Sequence, residues 1–209
     1  MGPTIHCNNR KFPKSNWTFP NYQQFFFRPE VAADTTFTAK PLFMIFNKYT
    51  PEIHLGGTPK NFIPLDALQE ILDYLSPRYH VVYIRLERKE LLQADDLRAS
   101  GTFGDKAMIR QRYTNNQVFI LDDLADTLDA EAVNLLIFAL GAHCRNFVSV
   151  QGGNSQVASF FGGQNYVLVK GKVSEVTHGD YTYYWRYANT KVKMVRKQEV
   201  LVQRVKENM

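Results

Sequence analysis

The sequence predicts an α/β domain in which a parallel β-sheet carries helices on both faces. Short apolar runs recur along the chain: PLFMIF at 41–46, HVVYIRL at 80–86, QVFIL at 117–121, NFVSV at 146–150 and NYVLV at 165–169. Runs that are apolar on both faces of the pleat belong to strands buried on both sides, as parallel strands are. Between several of them lie segments with apolar residues at helical spacing, and this alternation gives a parallel sheet with crossover helices. The runs also end in polar or glycine-bearing loops, Asn47-Lys48, Asp122-Asp123 and Gln151-Gly152-Gly153 among them.

Residues 1–40 hold Pro3, Pro13, Pro20 and Pro29 among scattered aromatics and show no sustained period, so they read as an irregular amino-terminal segment or linker. The domain is expected to run from 41 to 209. After the first strand, a loop with Gly56, Gly57 and Pro59 leads to Pro64–Leu75, where Leu65, Leu68, Leu72 and Leu75 form an amphipathic helix. His80–Leu86 is the second strand. The polar stretch from Lys89 to Asn116 allows one short helix and a loop. Gln117–Leu121 is the third strand, and Asp126 or Thr127 caps a helix to Ala142. Asn146–Val150 is followed by a tight glycine turn and a short helix over Gln156–Phe161, then by Asn165–Val169. Val192–Val195 reads as a further strand and Glu199–Lys206 as a closing helix.

Composition narrows the function classes. The chain has 209 residues with 44% hydrophobic and 22% charged residues, which is ordinary for a globular domain and argues against wholesale disorder. The net charge of +5 suits a polyanionic ligand. Cys7 and Cys144 are the only cysteines, so neither a disulfide framework nor a cysteine metal site is expected. The longest apolar run, Leu135–Ala142, falls short of the ~20 residues that span a bilayer. With no charged-then-apolar leader at the start, the chain reads as cytoplasmic. No recognition-helix, zinc or RNP-like motif supports nucleic-acid binding.

The sharpest chemical feature is FVSVQGGNSQVASFFGG at 147–163. Glycines let a backbone turn tightly and approach a ligand without a Cβ in the way. A helix start beyond them offers unpaired N–H groups to phosphate. Gly152, Gly153, Asn154 and Ser155 therefore read as a diphosphate cradle, with an ordinary capped glycine turn as the alternative. The stretch matches neither the dinucleotide fingerprint nor the phosphate loop of nucleotide hydrolases. Ligands of open parallel sheets sit beyond the carboxyl ends of the strands, where Asn47-Lys48 and Arg85 would join the glycines. Lys48 and Arg85 are the natural cations for two phosphates.

FNKYTPEIHLGGTPKNFIPLDALQEILDYLSPRYHVVYIR at 46–85, LDDLAD at 121–126 and FVSVQGGNSQVASFFGGQNYVLVKG at 147–171 resemble a group of bacterial and viral glycosyltransferases. More broadly, the pattern is similar to the nucleotide-sugar-binding half of GT-B enzymes, a Rossmann-like domain. The resemblance implies a glycosyltransferase that moves a sugar, for instance a deoxyhexose such as rhamnose, from a nucleotide-diphosphate donor to a glycan hydroxyl. It implies a UDP-sugar as donor substrate, no other cofactor and no metal. GT-B enzymes have two such halves, and residues 1–40 are too few for one. The pattern therefore fits one domain of a larger glycosyltransferase, of the kind large algal viruses encode.

A base for the acceptor proton is open among His54, Asp122, Asp123 and His143, with His54 favoured for its place in the glycine-rich loop after the first strand. Asp122-Asp123 invites a metal reading, but acidic residues at a helix entrance are more often dipole partners. Glu175, past the fifth strand, stands where an acid accepts hydrogen bonds from ribose in many GT-B enzymes. His178 and the Tyr181–Tyr187 cluster either stack on a ring or pack under the last helix. A non-catalytic Rossmann-like module that docks on a partner enzyme is the competing reading.

Overall fold

A computed structural model describes Phe27, Pro59, Tyr181, Tyr184 and residues 40–49, 61–87, 103–114, 117–170 and 188–209. The expected amino-terminal segment lies outside the described residues, apart from Phe27 and Lys40. Six strands form one sheet in which every pairing is parallel. They are β1 (Leu42–Phe46), β2 (His80–Ile84), β3 (Val118–Ile120), β4 (Cys144–Val150), β5 (Gly163–Leu168) and β6 (Thr190–Val195). Their order across the sheet is β3-β2-β1-β4-β5-β6. This is the Rossmann-like α/β order, in which the chain leaves the β3 edge and re-enters on the far side of β1.

Helices α1 (Leu65–Leu75), α2 (Asp105–Arg112) and α6 (Gln198–Asn208) cover one face. There Leu68, Ile71, Leu72 and Leu75 of α1 pack with Leu201, Val202 and Val205 of α6 over Phe43, Ile45, Val81 and Tyr83. The single turn α3 (Leu121–Leu124), with α4 (Ala130–Ala142) and α5 (Gly153–Ser159), covers the other. Met44, Phe46, Val82 and Phe147 meet Ile137, Leu140, Ala158 and Phe161 there. Every residue of β1 and β2 is buried, as the two-faced apolar runs require. Among the described residues no helix is long and apolar enough to cross a membrane.

Several boundaries differ from expectation. The cap of α4 is neither Asp126 nor Thr127 but Asp129, whose Oδ1 accepts from the Ala132 N–H at 2.8 Å. The α3 turn and the bend after it occupy the chain as far as Leu128. Arg85 and Leu86 fall beyond β2, and Leu121 opens α3 instead of closing β3. The short helix after β4 begins at Gly153, three residues before the expected Gln156, because Gly152 makes the whole turn by itself at φ 135°. At the other end of α5, Gly163 has φ 78°, and a Cβ there would stand 2.0 Å from the Arg145 carbonyl oxygen. Only glycine lets β5 start beside β4 in this way.

Candidate functional site

Because β1 and β4 are neighbours while their connections run to opposite sides, a crevice opens between their carboxyl ends. Into it run the loop after β1, beginning Asn47-Lys48-Tyr49, and the loop after β4, Gln151-Gly152. A Cβ placed on Gly152 would lie 3.8 Å from the Lys48 Nζ, so the lysine ammonium stands beside the glycine turn. A Cβ on Gly153 would meet nothing within 4 Å among the described residues. Gly153 and Asn154 are exposed, and as the first residues of α5 their N–H groups have no partner within the helix. The structure thus brings Lys48, Gly152, Gly153 and Asn154 together at one mouth.

Ser155 faces the other way. Its side chain is buried; the hydroxyl donates to the Gly152 carbonyl at 2.6 Å and pairs with the Tyr181 hydroxyl at 2.6 Å. Beneath it, Asn165 donates to the Ser155 carbonyl and to Ser159 Oγ, and accepts from Ser149 Oγ. Thr190 Oγ1 donates to the Ser159 carbonyl at 2.7 Å. These bonds tie α5 to β4, β5 and β6, so the glycine turn sits on a fixed support.

Asn47 is equally committed. Its Oδ1 accepts from the Lys48 and Ile63 N–H groups, while its Nδ2 donates to the Ile63 carbonyl and the Tyr83 hydroxyl. Two donors and two acceptor positions exhaust an amide. Asn47, expected to touch the ligand, instead latches the start of its loop to the end of the same loop, just before α1. That loop reaches the glycine turn through Asn61, whose Nδ2 donates to the Gln151 carbonyl at 2.8 Å.

Arg85, expected as a second phosphate cation, is 5% exposed and held by Asp105 and Glu87. Asp105 also accepts from the Tyr83 hydroxyl, and Lys106 joins Glu87 to Asp122. Burial alone would raise the Asp105 carboxyl, but hydrogen bonds from Arg85 and Tyr83 outweigh it and hold it below the usual carboxylate range. For Glu87 the balance is the same, with Lys106 and Arg85 prevailing over burial. Burial, then the adjacent Asp105 charge, push the Tyr83 hydroxyl well up. The result is a chain of buried bonds from Ile63 through Asn47, Tyr83, Asp105 and Arg85 toward α3. Sequence reasoning missed Tyr83 and Asp105: one lay inside an apolar strand, the other in a stretch without periodicity.

Of the candidate bases, Asp122 is paired with Lys106, and Asp123 with Arg110 at 2.6 Å. His143 caps the carboxyl end of α4 just before β4, at the amino end of that strand and so away from the crevice, with Phe27 4.3 Å away. His54 and Glu175 lie outside the described residues, as does His178. Within the aromatic tail, Tyr181 and Tyr184 are buried against Val167, Val169 and Phe160, a packing role, but not under the last helix as expected: that helix packs over Tyr166 and Leu168, on the other face of β5. Among the described residues no three His, Cys, Asp or Glu side chains are grouped to hold a metal ion.

At the rim of the crevice, Tyr49, Phe62 and Phe103 form a half-buried ring cluster. Tyr49 and Phe62 come from the two ends of the loop after β1, and Phe103 from the segment before α2. Lys170, after β5, places its Nζ 4.8 Å over the Phe62 ring. No protein-family model matches the chain, and no curated protein is significantly similar to it.

Proposed function

We propose that the domain binds a nucleotide sugar by its diphosphate in the β1–β4 crevice and serves as the donor-binding half of a GT-B-type glycosyltransferase. The observation that carries this reading is the placement of the Lys48 ammonium beside Gly152 at the switch point of the sheet. A glycine backbone that a ligand can approach closely, next to a lysine, is what a diphosphate needs. With seven residues, α5 is too short for its dipole to add much, so the cation and the bare backbone bear the argument. The sugar would then go to a glycan hydroxyl, as the family resemblance implies.

A second reading, a binding module that docks on a catalytic partner, draws on a specific observation. Asp122 and Asp123 are both ion-paired, and His143 lies at the amino end of β4, away from the crevice. Proton transfer in this chain would then rest on His54, the favoured base, or on a residue of the acceptor half.

The test is a thermal-shift screen of UDP, GDP, CMP, dTDP and their common sugar conjugates, with and without manganese. A ligand that binds only the folded state raises the melting temperature by mass action. A shift with one nucleotide family, followed by turnover of its sugar conjugate, supports the transferase. A shift without turnover, even with acceptor glycans supplied, favours the module. No shift with any of them overturns diphosphate binding.

A further inference from the structure

Two features at the crevice rim are not used by a diphosphate. The first is the ring cluster. Tyr49 and Phe103 are stacked at 4.4 Å and 15°, while Phe62 stands nearly perpendicular to both. Its distances to the two, 5.1 and 5.2 Å, are almost equal, so Phe62 sits beside the pair and not on an outer face. Arg85 lies over Phe103 at 5.8 Å and Lys170 over Phe62. Among the described residues, the outer face of Tyr49 is thus left without a ring or a cation, although Tyr49 follows Lys48 directly.

The second feature is Asn61. It is 8% exposed, its Nδ2 is fixed on the Gln151 carbonyl, and its Oδ1 has no hydrogen-bond partner among the described residues. A buried acceptor without a partner is costly, and such groups are normally met by water or ligand. With Nδ2 turned to the Gln151 carbonyl, Oδ1 is the end of the amide whose hydrogen bond is still to be made. Asn61 leads directly into Phe62, so this acceptor and the rings share one short segment leaning on the glycine turn.

We propose that the nucleoside end of the ligand stacks on the outer face of Tyr49, with Asn61 Oδ1 accepting one of its N–H or O–H groups. The proposal rests on the diphosphate reading and adds where the remainder of the ligand lies. Aromatic stacking tolerates every base, because each has a π-face, so Tyr49 supplies affinity more than discrimination.

The test is calorimetric titration of the full chain with UDP, GDP, ADP and inorganic pyrophosphate. At least one nucleoside diphosphate should bind about tenfold or more tighter than pyrophosphate, on the scale of base–aromatic stacking. Tyr49→Leu, which keeps the bulk but removes the π-face, should abolish that advantage and leave the pyrophosphate Kd unchanged; Tyr49→Phe should restore it. In case Tyr49→Leu does not fold, a magnetisation transfer in the native chain between base protons and the Tyr49 ring gives the same answer. Equal affinity for pyrophosphate and all the nucleotides, or an advantage that survives Tyr49→Leu, overturns the proposal while leaving the diphosphate site standing. If no phosphate compound binds, both fail together. Asn61→Ala should reduce nucleotide affinity more than pyrophosphate affinity, and an equal loss for both removes Asn61 from the nucleoside site.

Discussion

The Lys48 ammonium stands 3.8 Å from the point that a Cβ on Gly152 would occupy, although the two residues are more than a hundred positions apart. Their meeting is a consequence of the strand order: β1 and β4 pair in parallel, with Phe46 opposite Ser149 at their carboxyl ends, so the loops after the two strands start at nearly the same level. If this pair holds a diphosphate, Lys48→Met should weaken UDP binding by about 1.5–3 kcal/mol, roughly ten- to hundredfold in Kd. Titration at two salt concentrations checks the electrostatic origin, since the difference between wild type and variant should shrink as salt rises.

The two glycines of the turn should separate stability from binding. Gly152 has φ 135°, which strains any other residue whatever the space, so Gly152→Ala should cost about 1–3 kcal/mol in urea unfolding. A Cβ on Gly153 meets nothing within 4 Å among the described residues, so Gly153→Ala should leave stability within ~0.5 kcal/mol. Gly153→Phe should fold normally yet lose nucleotide binding by filling the mouth. Binding by Gly153→Phe at wild-type strength would place the ligand elsewhere.

Asn47 sets the loop that carries Lys48 and Tyr49. Asn47→Ala removes four hydrogen bonds at once and leaves the Tyr83 hydroxyl and the Ile63 backbone short of partners. A loss of about 2–4 kcal/mol is expected, as for other disrupted buried networks. Hydrogen exchange at the Ile63 amide should speed up beyond the change in global stability. Uniform acceleration across the sheet would instead mark Asn47 as part of the core alone.

Much of the fold was legible because strand signals were strong. Five apolar runs became β1 to β5 with boundaries displaced by a few residues, since apolar content fixes the centre of a strand while hydrogen bonding fixes its ends. Gly152, Gly153 and Lys48 could be placed at one crevice from strand ends alone. Individual side-chain directions could not. Arg85 looked like a ligand cation, but its partner Asp105 is twenty residues on, in a stretch whose polar composition hides an α-helix with almost no apolar stripe. Ser155 sits in the glycine turn by sequence yet points inward, because helical geometry turns it toward Asn165 and Tyr181. The cap of α4 slipped from Asp126 or Thr127 to Asp129 because three capping residues compete within four positions, and the α3 turn decides among them.

The Tyr83–Asp105 pair should set stability limits at both ends of the pH scale. The Asp105 carboxyl is lowered in the folded chain. Its contribution is therefore complete above the ordinary carboxylate pKa of about 4 and is lost as the pH falls from there through the folded value. The Tyr83 hydroxyl is raised. Its contribution is complete below the ordinary tyrosine pKa of about 10 and is lost as the pH rises through the folded value. Urea midpoints measured from about pH 2 to 11 should show both limbs. Asp105→Asn should flatten the acid limb relative to wild type while costing about 3–5 kcal/mol at neutral pH, because Arg85 then loses its buried charge partner and keeps only the more exposed Glu87. Tyr83→Phe should flatten the alkaline limb at a cost of about 1–3 kcal/mol. An acid limb of unchanged steepness in Asp105→Asn would assign acid unfolding to other carboxylates, and Glu87, lowered by Lys106 and Arg85 against its own burial, would be the next to replace.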